Sequence, residues 1–208
     1  MKYFFLLLCF LCNDLYAQQA YKIEYLLKGR FTVNKQPQQM ETKFGLVYND
    51  TLSFFYIKPK YGDKFKNARV LGDKLDNHAL MYNKNTDELW HEVDLGRKKH
   101  YVIVDTPNYF KWAYTYETKK ILGYNCNVAF TVSPANDTIV LWYTSQLGSY
   151  FGPMRYFGVP GIVLEAFDPE FNNHLVATKV EESSAILVLP NVEKIPMKKY
   201  LEEQKRNK

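Results

Sequence analysis

Short runs of aromatic and β-branched residues, each closed by a turn signal, recur along almost the whole chain and constrain its fold more than any other feature. The clearest is 124–130, where Tyr124, Cys126, Val128 and Phe130 alternate with Asn125, Asn127 and Ala129. A period of two sends successive side chains to opposite faces, as a half-buried strand requires. Residues 21–33 alternate likewise and run into Asn34-Lys35-Gln36-Pro37. Segments 44–48 and 52–57 flank Asn49-Asp50-Thr51, and 80–83 and 88–93 flank a second polar turn. Further strands are expected at 101–104, 111–117, 138–144 and 185–189, with a hairpin of 161–167 and 174–180 around Asp168-Pro169. Helix formers gather only at 197–205, and these are mostly charged. The pattern predicts an all-β domain: an antiparallel curved sheet or partly closed barrel built from hairpins, with a short charged C-terminal helix.

Residues 1–17 have the form of a secretory signal peptide, with Lys2, an apolar stretch at 3–11 and Leu15-Tyr16-Ala17 before Gln18. The apolar run is too short to span a bilayer. Leu8 and Leu11 precede Cys9 and Cys12 where lipid attachment wants a small residue, so lipidation is not expected. Export would leave 18–208 as a single domain in the periplasm or associated with the outer membrane. Cys126 would then be the one thiol, with no intramolecular disulfide. The formal net charge is +5. Basic residues crowd two places: Lys58, Lys60, Lys64, Lys66, Arg69 and Lys74, and then Arg97-Lys98-Lys99. They read as solvated loops, or as a peripheral contact with lipid headgroups or an acidic protein. Nucleic acid is not an expected partner of an exported chain.

The run 152–168 carries three glycines and two prolines in its first ten residues, directly before an apolar segment. Glycine opens backbone conformations that other residues avoid, and proline fixes φ and removes a donor. A phosphate cradle would need a helix to follow. Residues 162–167 read as a strand instead, which makes the run a structural corner.

Gly158-Val159-Pro160-Gly161-Ile162-Val163 resembles the signature hexapeptide of the GLPGLI family, secreted proteins of Bacteroidota. Gly152-Pro153, Trp112 with Glu117, Ile121-Leu122-Gly123-Tyr124-Asn125-Cys126 and Trp142-Tyr143-Thr144 are similar to its flanking segments. The resemblance implies export and a β fold and supplies no catalytic residues. Some members are encoded near TonB-dependent outer-membrane receptors. It therefore implies a non-enzymatic binding or envelope-assembly module. A metal- or receptor-linked accessory protein is the alternative, and an unrecognised hydrolase comes third.

The residues themselves assemble no reaction centre. Ser145 and Ser149 lie outside any Gly-x-Ser-x-Gly, and no nucleophile, base and orienting group can be grouped. Glu165 and Asp168 sit at odd spacing, which reads as one outward strand acid and one turn former. His78, His91, His100 and His174 lack metal-ligand spacing, so no metal and no cofactor are expected. Cys126 reads as a buried small hydrophobe. A curved sheet would offer Trp112, Tyr114, Trp142 and Tyr143 as an apolar face for a ligand or an envelope protein. A filled interior would count against that. Asp50-Thr51-Leu52 and Asp137-Thr138-Ile139 have the form of an O-glycosylation signal with Thr51 and Thr138 as acceptors, or are simply turn chemistry.

Overall fold

The computed structural model describes residues 19–33, 36–57, 70–71, 80–94, 99–104, 110–133, 135–148, 150–170 and 172–206. The segment read as a signal peptide and the basic residues at 58–69, 74 and 97–98 lie outside these. Two antiparallel meanders make the sheet. The first runs through β1 (Ala20–Val33), β2 (Gln36–Tyr48), β3 (Leu52–Ile57), β5 (Leu80–Asn83), β6 (Glu88–Asp94) and β7 (Lys99–Val104); β4 (Val70–Leu71) stands outside it. The second runs through β8 (Ala113–Ile121), β9 (Tyr124–Val132), β10 (Thr138–Thr144), β11 (Ile162–Asp168) and β12 (Asn173–Ser183). β1 pairs with β12 and welds the two. The predicted curved antiparallel sheet is what forms; it stays open, because its two outermost strands do not pair with each other.

Two departures come from the C-terminal segment. β13 (Ile186–Leu187) pairs in parallel with β4, and β14 (Lys194–Pro196) pairs in parallel with β7, ahead of the expected helix α1 (Met197–Arg206). Neither parallel contact leaves a local sequence signal. β2 also starts at Gln36 rather than at Phe44, because a long β1 continues to offer it a ladder down to Val33.

Turn chemistry explains the hairpins. Asn49 Oδ1 accepts from Thr51 N at 3.0 Å and from Leu52 N at 2.8 Å, an Asx turn that reverses β2 into β3. Leu122 and Gly123 have φ of 52° and 88°, the left-handed pair that a two-residue hairpin needs between β8 and β9. Register shifts at Glu24/Tyr25, at Trp142/Tyr143 and between Tyr114 and Thr118 are bulge-like, and bulges bend a sheet.

The inner face carries the main core. Ile23, Tyr25 and Leu27 of β1 and Leu46 and Tyr48 of β2 meet Leu141, Leu164, Ala166 and Leu175 from the other meander. Over them lies the β10–β11 connection, whose Leu147, Phe151, Tyr156, Phe157 and Val159 are all buried. Tyr82 stacks on Phe157 with centroids 5.2 Å apart and meets Phe151 edge-on at 5.7 Å. Buried phenols hold the backbone at both ends of this connection: Tyr48 OH donates to Leu147 O at 3.1 Å near its start, and Tyr25 OH to Val163 O at 2.6 Å on β11 just after it. Burial raises both phenols well above their ordinary range, with neighbouring tyrosines adding to the shift, so both remain donors. The glycine–proline run is thus an internal plug. A second cluster, with Val47, Phe54, Tyr56, Met81 and Trp90, lies under Ala185, Leu187, Leu189 and Val192 of the C-terminal segment.

Candidate functional site

Strand β11 divides its side chains between the two faces. Glu165 and Phe167 point to the outer face while Asp168 points inward and is fully buried. Cross-strand register then sets two rows on the outer face. One runs Glu41, Lys28, His174, Phe167, Val140 and Phe130 from β2 to β9. The next runs Lys43, Leu26, Val176, Glu165, Trp142 and Val128.

The first row borders a groove of about 370 Å³, where Lys28, Gln39, Glu41, Phe167, Asn172 and His174 converge around Gly29. Phe167 is 45% exposed, an unusual state for a phenylalanine, and its ring meets the His174 ring edge-on at 6.0 Å. Lys28 Nζ lies 3.9 Å from Glu41 Oε1, so these two charges of the described lining face each other. His174 Nε2 is 3.0 Å from Glu165 Oε1. A carboxylate only accepts, so Nε2 is the nitrogen that donates in this contact.

Glu165 is the anchor behind this arrangement. It also accepts from Lys119, whose ammonium lies 4.2 Å from the centroid of the Trp142 ring. Partial burial pushes the Glu165 carboxyl up, but hydrogen bonds from Lys119 and His174 outweigh that and hold it below its ordinary value of 4.5. A depressed carboxylate adds stability that is fully present above the unfolded pKa and is lost as pH falls through the folded one. Glu165→Gln is therefore expected to flatten the acid limb of the stability profile, read as urea midpoints between about pH 3 and pH 7. An unchanged acid limb would show that the pairing contributes nothing.

On the inner face, Asp168 Oδ2 accepts from Tyr156 OH at 2.6 Å and from Arg155 Nη2 at 2.8 Å, while Oδ1 has no partner among the described residues. The reading of Asp168 as a turn former is corrected: it is a buried, ion-paired strand acid. Its odd spacing from outward-facing Glu165 was the available signal, because an inward acid demands partners. The same spacing keeps the two carboxylates on opposite faces, so they do not form a catalytic pair.

The remaining sequence-predicted residues are scattered. Trp142 and Tyr143 are neighbours on β10 and face opposite sides of the sheet. Tyr114 is half exposed and contacts the Tyr143 ring edge-on at 6.2 Å. Trp112 donates from Nε1 to Phe157 O at 3.1 Å and so serves the plug. No common apolar face unites the four. Within the family-like hexapeptide, Val159, Gly161, Ile162 and Val163 are buried while Gly158 and Pro160 are exposed, and Gly152 and Pro153 at the loop entry are buried. The Thr51 hydroxyl donates to Asn49 Oδ1 at 3.2 Å, and Thr138 is exposed at the start of β10. Cys126 is buried and its thiol is pushed up, first by burial. His91 is pushed down by burial, and the His78 site lies outside the described residues. No group of three or more metal-ligating side chains occurs among the described residues.

Comparison with known proteins changes the reading of this site. No curated protein sequence matches the chain significantly. PNGF-II, solved in two crystal forms, has the same fold: one superposes with a TM-score of 0.67 at 20% identity over 89% of this chain and 33% of its own. The other gives 0.65 at 21% identity over 88% and 32%. The chain thus spans about a third of the length of PNGF-II. The family that matches, over residues 108–201, is described as N-glycanase peptide, N-terminal domain. This overturns the expected membership of the GLPGLI family, and with it the expectation of a non-enzymatic binding or envelope-assembly module. The similarity is to an N-glycanase, through the domain that stands at its N-terminus.

Proposed function

We propose that this chain is an N-glycanase-related glycan-processing protein whose β domain engages the N-linked glycan for hydrolytic release. The observation that supports this reading is the family match over 108–201, which spans β8 to α1 and contains Phe167, Asn172 and His174 of the outer groove. The groove's chemistry agrees with it. Amide, imidazole, ammonium and carboxylate groups offer both donors and acceptors beside an exposed ring, which suits a hydroxyl-rich ligand. Hydrolysis of a glycan bond calls for convergent, differently tuned groups. Glu165 and Asp168 are both engaged and lie on opposite faces, so the bond-breaking centre is assigned outside this carboxylate pair. Export to the periplasm or outer membrane is proposed with it, since residues 1–17 have signal-peptide form.

The test uses the chain immobilised and a tryptic digest of an N-glycosylated protein, with bound and flow-through fractions read by mass spectrometry. N-glycopeptides are expected to be held back relative to the same peptides stripped of glycan. Equal partition of the two forms would overturn the proposal.

A further inference from the structure

We propose that Thr138 is an O-glycosylation site, its hydroxyl carrying a saccharide on the exported chain. This lies apart from the glycan-processing reading, because it concerns what is attached to the chain rather than what the chain engages. Asn-Asp-Thr followed by an aliphatic residue occurs twice, at 49–52 and at 136–139, once at the β2–β3 hairpin and once at the β9–β10 hairpin. Turn chemistry accounts for the threonine of the first copy and not for that of the second.

In the first copy the tripeptide builds the turn. Asn49 Oδ1 accepts from Thr51 N at 3.0 Å, from Thr51 Oγ1 at 3.2 Å and from Leu52 N at 2.8 Å, and Thr51 is half-buried. A saccharide on Thr51 Oγ1 would remove the hydrogen that this oxygen donates and would crowd the turn.

In the second copy Ser133 holds the turn instead. Its N–H donates to Asp137 O at 2.8 Å, and its carbonyl accepts from Asn136 N at 2.9 Å. Its Oγ accepts from Ala135 N at 3.2 Å and from Asp137 N at 3.3 Å. Thr138 takes part in none of these contacts, so the turn makes no demand on its hydroxyl.

Strand alternation then fixes where that hydroxyl points. Ile139 is fully buried in the main core, so Thr138 before it stands on the outer face, exposed, opposite Val132 at 56% exposure. The aliphatic residue of the signal anchors the strand from within, while the acceptor projects at the end of a hairpin. A bulky, solubilising glycan is compatible with such a surface position.

In the transfer, Thr138 Oγ1 attacks the anomeric carbon of a saccharide activated as a diphosphate ester, on a glycosyltransferase of the host. The new bond from the anomeric carbon to Oγ1 forms as its bond to the diphosphate oxygen breaks. The diphosphate carrier leaves with the electron pair, and the hydroxyl proton passes to a base of the transferase.

The experiment isolates the full chain from its native host and reads intact mass, with electron-transfer fragmentation to locate any added saccharide. The parent is expected to carry added mass on Thr138. Thr138→Ala is expected to lose it completely, while Thr138→Ser and Thr51→Ala keep it. Unchanged circular dichroism and thermal midpoints show that the Thr138 variants fold. A parent without added mass overturns the proposal, as does mass that Thr138→Ala retains. So does a saccharide found on Asn136, which stands in an Asn-x-Thr setting of its own. None of these outcomes bears on the glycopeptide partition described above, so the glycan-processing reading stands or falls separately.

Discussion

Gly152→Ala is expected to destabilise the fold by about 3–5 kcal/mol, which is near the upper end for a single substitution. A Cβ at this position would lie 1.8 Å from the Tyr156 carbonyl oxygen and 3.0 Å from Val163 Cγ2. The nearer atom is backbone, so no rotamer change relieves the clash. Tyr156 cannot retreat either. Its N–H donates to Pro153 O at 3.0 Å and its hydroxyl is tied to Asp168 at 2.6 Å. Relief must come from moving the plug, which would uncover Phe151 and Phe157. Urea midpoints with an unchanged m value would measure this. Gly123→Ala is the contrast: its Cβ meets nothing within 4 Å, and only its φ of 88° resists, so about 1 kcal/mol is expected. Comparable losses at the two positions would show that the corner at Gly152 is not tightly held.

Asp168→Ala is the second large effect, at about 2–4 kcal/mol. The two partners contribute unequally. Arg155 is 44% exposed along its side chain, so water can take over much of its charge. The Tyr156 hydroxyl is buried and would lose its acceptor outright. Burial and then the Asp168 hydrogen bond raise this phenol far above its ordinary range, so it cannot ionise to escape. Asp168→Asn keeps an acceptor for Tyr156 and removes the charge, and about half the loss is expected from it. Equal destabilisation by Ala and Asn in denaturant titrations would place the effect in the charge rather than in the hydrogen bond.

Hairpins and alternation were legible in the sequence because they are local. The Asx turn at Asn49 and the period of two in β9 each depend on residues within a few positions. The weld between β1 and β12 and the parallel pairings of β13 and β14 join distant segments, and no short window records them. The filling of the concave side was hard to read for a related reason. Phe151, Tyr156 and Phe157 lie in the connection that fills the space, although the chain shows them only as part of a loop. The family resemblance misled through chemistry as well. Val159, Ile162 and Val163 are wholly buried at the corner, so an apolar hexapeptide with glycine and proline records a packing demand rather than an activity. His174 was passed over because its partner Glu165 comes from the neighbouring strand, and Phe167 because an exposed ring on a strand looks like ordinary core until register is known.

The unequal edges of the sheet decide how such a chain behaves when crowded. One edge is closed by β14, which uses the free hydrogen-bonding side of β7. The other, β8, breaks register between Tyr114 and Thr118 and carries Lys119 and Lys120 beyond the break. A foreign strand seeking a continuous ladder there meets an interrupted one with cations along it. The open sheet can thus keep both faces at work, one around its plug and one partly under the C-terminal segment, without inviting fibrous self-association.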